Sequence, residues 1–135
     1  MAHQFHLRVY FSDTDAGGIV YHARYLDFAE HARTELLRTV SADRPGQAEV
    51  LATQRRAFVV RAVSVEYHTP AYLDDELTVF TSLERAKRFS MVFRQEVKRR
   101  EQLLCTILVT VASVNLDTKR PEPFESWFAE VASQI

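Results

Sequence analysis

Cysteine is all but missing: Cys105 is the only one among 135 residues, so no disulfide can form within the chain. No set of Cys and His has the spacing of a zinc site, so no metal is expected. Glycine and proline are scarce, at 3 and 4 residues, and the chain shows no linker, repeat or low-complexity segment. Neither sign of charge dominates: 17 Lys and Arg face 18 Asp and Glu, a net charge of −1. A dedicated nucleic-acid binder carries a strong basic excess, and this chain does not. Long apolar runs are missing too. The longest, LLCTILVTVA at 103–112, is too short for a bilayer and is interrupted by Thr106 and Thr110. Residues 1–10 lack the apolar centre of a secretory signal. The expectation is one soluble domain, 1–135, in a reducing cytoplasm, with peripheral association with the inner membrane left open.

What the chain does have is concentrated in residues 11–38, FSDTDAGGIVYHARYLDFAEHARTELLR. A polar turn carries Asp13 and Asp15, then Gly17 and Gly18. After Tyr21 and His22 comes the longest helical pattern, predicted over 22–40. Tyr25, Phe28, Ala29, Ala32, Leu36, Leu37 and Val40 recur at helical spacing, which marks one buried face. Asp27, Glu30, Arg33, Glu35 and Arg38 form the polar flank, where i,i+3 and i,i+4 ion pairs are expected. A helix start presents unpaired N–H groups and the positive end of the dipole, which favour a carbonyl oxygen or an anion. A carboxylate and a histidine are delivered to that end.

The remaining segments read mostly at a period of two. Phe5, Leu7, Val9 and Phe11 predict a half-buried strand over 4–11. A polar stretch over 41–56, broken by Pro45-Gly46, predicts a loop with a short helix near 46–54. Strands are predicted over 57–68, 76–86, 88–100 and 103–116, the last apolar on both faces and so interior. A short helix follows within 123–135, with Phe124, Phe128 and Val131 inward. Four consecutive strands joined by short turns imply an antiparallel sheet, α+β, of about five strands wrapped around one long central helix. Open sheet edges predict a homo-oligomer.

The stretch DTDAGGIVYHARYLDFAEHARTELLR, in this order of elements, resembles the hotdog-fold thioesterases of the 4-hydroxybenzoyl-CoA thioesterase-like group, above all the acyl-CoA thioesterases associated with the bacterial Tol-Pal system. The resemblance implies a hotdog fold, a dimer with a continuous sheet, commonly assembled into tetramers, and active sites at the dimer interface. It implies hydrolysis of an acyl-CoA to free acid and coenzyme A with no metal or other cofactor. It places the catalytic carboxylate on Asp15 and an assisting histidine on His22. Gly18 and Tyr21 fall beside the substrate, and coenzyme A contacts fall on Val60, Arg61, Lys87, Arg88 and Ser90. Phe89 departs from the pattern of the aromatic-substrate members.

Each residue also has a plainer reading. Asp15 could only brace a turn, as Asp does; beside the glycines and the helix start, the catalytic role is preferred. Asp13 is expected to be structural. Glu30 and Glu35 are assigned to ion pairs, and Cys105 to the core. Whether Asp15 is nucleophile or general base is open, as is the carrier thiol, coenzyme A or acyl carrier protein. Two further functions stand beside hydrolysis: an acyl-thioester-binding scaffold of the envelope or phospholipid-synthesis machinery, and a 3-hydroxyacyl-thioester dehydratase or hydratase.

Overall fold

The computed structural model describes residues 2–134; Met1, and Ile135 at the end of the predicted C-terminal segment, lie outside them. The elements run β1 (His3–Arg8), α1 (Arg24–Val40), α2 (Gln47–Gln54), β2 (Arg56–Tyr67), β3 (Glu76–Ala86), β4 (Ser90–Arg99), β5 (Gln102–Asn115), β6 (Arg120–Pro121) and α3 (Ser126–Ala132). All pairings are antiparallel, in the order β1-β3-β4-β5-β2, and the two-residue β6 pairs with the end of β5. β6 has no counterpart in the sequence reading, because two residues carry no periodicity.

One face of the sheet is buried under α1, which packs against β3 and β1. Along β4 the inward residues are Met91, Phe93, Gln95 and Val97, and along β3 they include Leu77, Val79 and Thr81. The buried face of α1 is Tyr25, Phe28, Ala29, Ala32 and Leu36. These are the positions that the helical spacing picks out.

Three expectations need correction. β1 stops at Arg8, and Phe11 is 80% exposed: Asp75 and Asp74 engage Val9 at the strand's end, and Phe11–Asp13 then forms a 3-10 turn. The helix begins at Arg24, because Tyr21 and His22 are still occupied by contacts outside it. The polar flank is also not a set of ion pairs throughout. Glu35 does bind Arg38. Arg33 turns inward instead, donating from Nη1 to Gln95 Oε1 at 3.0 Å. The fully buried Gln95 donates from Nε2 to the Ala29 carbonyl and to Thr81 Oγ1, each at 2.9 Å. A polar side chain on the inner face of β4 creates a demand for partners that helical spacing cannot reveal.

Candidate active site

The turn before α1 is a three-residue hairpin loop built by its glycines. Asp15 N–H donates to the Ile19 carbonyl at 3.0 Å, and Gly18 N–H donates back to the Asp15 carbonyl at 3.0 Å. Gly18 sits at φ +79°, the left-handed conformation that closes such loops and that glycine adopts without steric cost. Gly17 serves another purpose: a side chain there would meet Asp15 Oδ1 at 3.2 Å. That oxygen accepts the Gly17 N–H at 2.8 Å, which orients the carboxylate. Oδ2 has no protein donor among the described residues and faces solvent.

Asp13 is structural, as expected. Its Oδ2 accepts the Tyr10 N–H at 2.8 Å, and its Oδ1 lies 3.2 Å from Arg24 Nε. Arg24 also reaches Ser12 O and Asp27, so the first residue of α1 is tied to the turn before it.

His22 is exposed, with its ring 4.5 Å from that of Tyr21 and 6.5 Å from that of Tyr67. Tyr67, at the end of β2, donates its hydroxyl to the His22 carbonyl at 2.6 Å. The Tyr25 hydroxyl accepts the Ala71 N–H at 3.2 Å, while Val20 N–H reaches Ala71 O at 2.9 Å. Burial raises the Tyr25 phenol above its ordinary value of 10.0, so it stays protonated. The entry to α1 is therefore pinned from β2 and from the segment after it. Among the described residues, the backbone N–H groups of His22, Ala23 and Tyr25 have no protein acceptor. Tyr67 and Ala71 as positioning groups were not foreseen; the aromatic at the end of β2 was the only available signal.

The expected coenzyme A residues divide into two places. Arg61, Lys87 and Ser90 meet Arg85 and Thr110 around a cleft of about 180 Å³. Two β-bulges build it. β2 bulges at Arg61, between Val60 and Ala62, and β3 bulges between Leu83 and Arg85. Arg85, Val92, Thr110 and Ala62 then stand in one cross-strand row, on the face away from α1. Arg61, Arg85 and Lys87 have no carboxylate in salt-bridge range among the described residues. Arg94 and Arg99, by contrast, are neutralised by Glu96 and Asp75. Arg88 lies over the ring of Phe89 and does not line the cleft. Val60 faces a different cavity, beneath β2. Arg85 and Thr110 were missed because a bulge shifts the face of a residue without changing the sequence pattern. No cluster of His, Cys, Asp and Glu that could hold a metal occurs among the described residues.

An antiparallel sheet packed on one long helix, with a carboxylate turn leading into that helix, is the hotdog architecture of thioesterases. The family model of the thioesterase-like superfamily matches residues 9–132. The chain is 44% identical over 120 residues to the acyl-CoA thioesterase YbgC of Haemophilus influenzae, covering 89% of this chain and 86% of that one. It is 46% identical over 98 residues to the acyl-CoA thioester hydrolase YbgC of Escherichia coli, covering 73% and 70%. A probable thioesterase from Bartonella henselae superposes with a TM-score of 0.86 at 32% identity, over 93% of this chain and 100% of that one. The chain belongs to the thioesterase-like superfamily and is a thioester hydrolase.

Proposed function

We propose that the substrate is an acyl-CoA, cleaved to free acid and coenzyme A at the Asp15 turn. The observation that carries this reading is the division of labour in the Asp15 carboxylate. One oxygen is held by Gly17 N–H, the other has no protein donor among the described residues, and the same exposed turn leads into α1, where the first N–H groups have no protein acceptor. Those N–H groups polarise the thioester carbonyl and hold the oxyanion; one such donor contributes about 3 kcal/mol. Oδ2 then either attacks the carbonyl carbon, expelling the thiolate and leaving an anhydride that water opens, or takes a proton from the attacking water. The thiolate leaves without needing a strong acid, and His22 shuttles the remaining proton.

The unpaired Arg61, Arg85 and Lys87, with Ser90, supply the donors that phosphate groups of coenzyme A require. The relatives named acyl-CoA thioesterase and acyl-CoA thioester hydrolase support the same substrate class. The site is completed by a second copy. β2 is an edge strand whose Val60, Val63 and Tyr67 are 52%, 42% and 49% exposed, an apolar edge suited to strand pairing.

The test is thiol release from acyl-CoAs by wild type and Asp15→Asn, which keeps the shape and removes the charge. Loss of about 10²–10⁴-fold in kcat/KM is expected. Equal rates would reduce Asp15 to a turn residue and sink the mechanism.

A further inference from the structure

Among the free N–H groups at the start of α1, that of Ala23 belongs to a peptide held by a side chain from another element. The carbonyl of that peptide is His22 O, which accepts the Tyr67 hydroxyl at 2.6 Å. In a regular helix this carbonyl would accept the Leu26 N–H. Here Leu26 N–H donates to Ala23 O at 3.1 Å, and the tightened first turn leaves the His22 carbonyl to Tyr67. A trans peptide points its N–H opposite to its carbonyl, so Ala23 N–H is directed away from Tyr67. Ala23 also occupies the cap position of α1 and has no side-chain oxygen to return to the helix. A Ser, Thr, Asp or Asn there would occupy an N–H of the first turn.

Tyr67 is itself fixed. Its ring packs on that of Tyr25, with centroids 5.5 Å apart, and meets the His22 ring edge-on at 6.5 Å. β2 ends directly after it, where the His68 and Thr69 N–H groups both donate to Leu104 O. Burial raises the phenol above its ordinary value, so it stays protonated and remains a donor. Other ties already seat the entry to the helix: Tyr25 to Ala71, and Arg24 to Asp13 and Ser12. A hydrogen bond to a peptide oxygen draws electron density from the nitrogen through the C–N resonance. The N–H of the same peptide becomes a stronger donor.

We propose that Tyr67 is a positioning residue for the hydrolysis: through the His22–Ala23 peptide, its hydroxyl aims and strengthens the Ala23 N–H as a donor to the oxyanion. Tyr67 keeps its proton throughout and does not touch the substrate. Its effect grows as charge builds on the thioester oxygen, so it belongs to the transition state more than to substrate binding. The proposal rests on the acyl-CoA reading above.

The test is Tyr67→Phe in the otherwise unaltered full chain, which keeps the ring and removes the donor. With the acyl-CoA that wild type hydrolyses fastest, kcat should fall about tenfold. That is part of the roughly 10²–10³-fold that loss of a whole oxyanion donor costs. KM should stay within about twofold. Melting temperature should drop by a few degrees at most, the worth of about one hydrogen bond. A second readout uses a ketone analogue of that acyl-CoA, with a methylene in place of the thioester sulfur and an NMR-active carbonyl carbon. Its carbonyl resonance should move downfield on binding to wild type, and clearly less on binding to Tyr67→Phe.

An unchanged kcat overturns the proposal. So does a variant whose kcat, KM and melting temperature all worsen while the bound carbonyl resonance stays at its wild-type position, since that hydroxyl would only brace α1. A wild type that releases no thiol from any acyl-CoA would instead sink the substrate reading, and the proposal with it.

Discussion

Asp15 and its neighbours show how little local sequence is needed to orient an exposed carboxylate. Gly18 supplies a left-handed φ, and Gly17 supplies the room for Asp15 Oδ1 to sit on its N–H. Arg85 acts at the same scale, as an unpaired cation aimed into the outer cleft by a bulge. Replacing it by Ala should raise KM for acyl-CoA about tenfold or more, the worth of a charge-assisted hydrogen bond. Acyl-pantetheine thioesters, which lack the nucleotide phosphates, should show a much smaller change in steady-state kinetics. His3 offers a pH test of stability. Burial lowers its imidazole below 6.5, with Glu35 partly opposing, and its Nδ1 is buried without a partner. The folded chain therefore binds this proton less readily than the unfolded one. Its contribution is full above 6.5 and is lost as pH falls through the lowered value. Melting temperature should drop on acidification from about pH 7 to about pH 5, and His3→Gln should reduce that drop by a few degrees.

At the scale of elements, α1 is seated by shape and by one buried polar network. Gln95 joins β4 to Ala29 and Thr81 and receives Arg33, whose guanidinium is pulled below its ordinary value by burial. Gln95→Leu keeps the volume but strands the Arg33 donor and the Ala29 carbonyl and Thr81 Oγ1 acceptors. A loss of about 1–3 kcal/mol is expected, visible as a lower urea midpoint with an unchanged slope. Cys105 belongs to the same packed layer; burial raises its thiol to about 12, consistent with a core residue and not a nucleophile. α2 is the opposite case, a helix that covers a cavity without contributing to the core.

At the scale of the whole molecule, the exposed apolar β2 edge and the exposed Asp15 turn are the surfaces that the proposed second copy would cover. Val63→Lys places a charge on that edge while leaving the inner layer of β3, β4 and β5 intact. Light scattering should show the assembly reduced to monomers, with hydrolysis falling alongside it. A stable oligomer with full activity would move the interface elsewhere.

The amino-acid sequence by itself determined the elements and the turn that leads into α1. Period-two runs made the long strands, the 3.6 period made α1 with its buried face, and Asp15-Ala16-Gly17-Gly18 made the turn before it. These depend on contacts between near neighbours, so they are written in spacing. The tertiary structure alone decided the rest. It turned Arg33 from an ion-paired flank to a buried partner of Gln95, ended β1 three residues early, and brought Tyr67 to His22. It also gathered Arg61, Arg85 and Lys87 around one cleft and opened a chamber beneath α2. Each of these joins residues distant in sequence, through bulges, strand register and the demand of buried polar groups for partners. Spacing along a single chain does not encode which distant strand lies alongside.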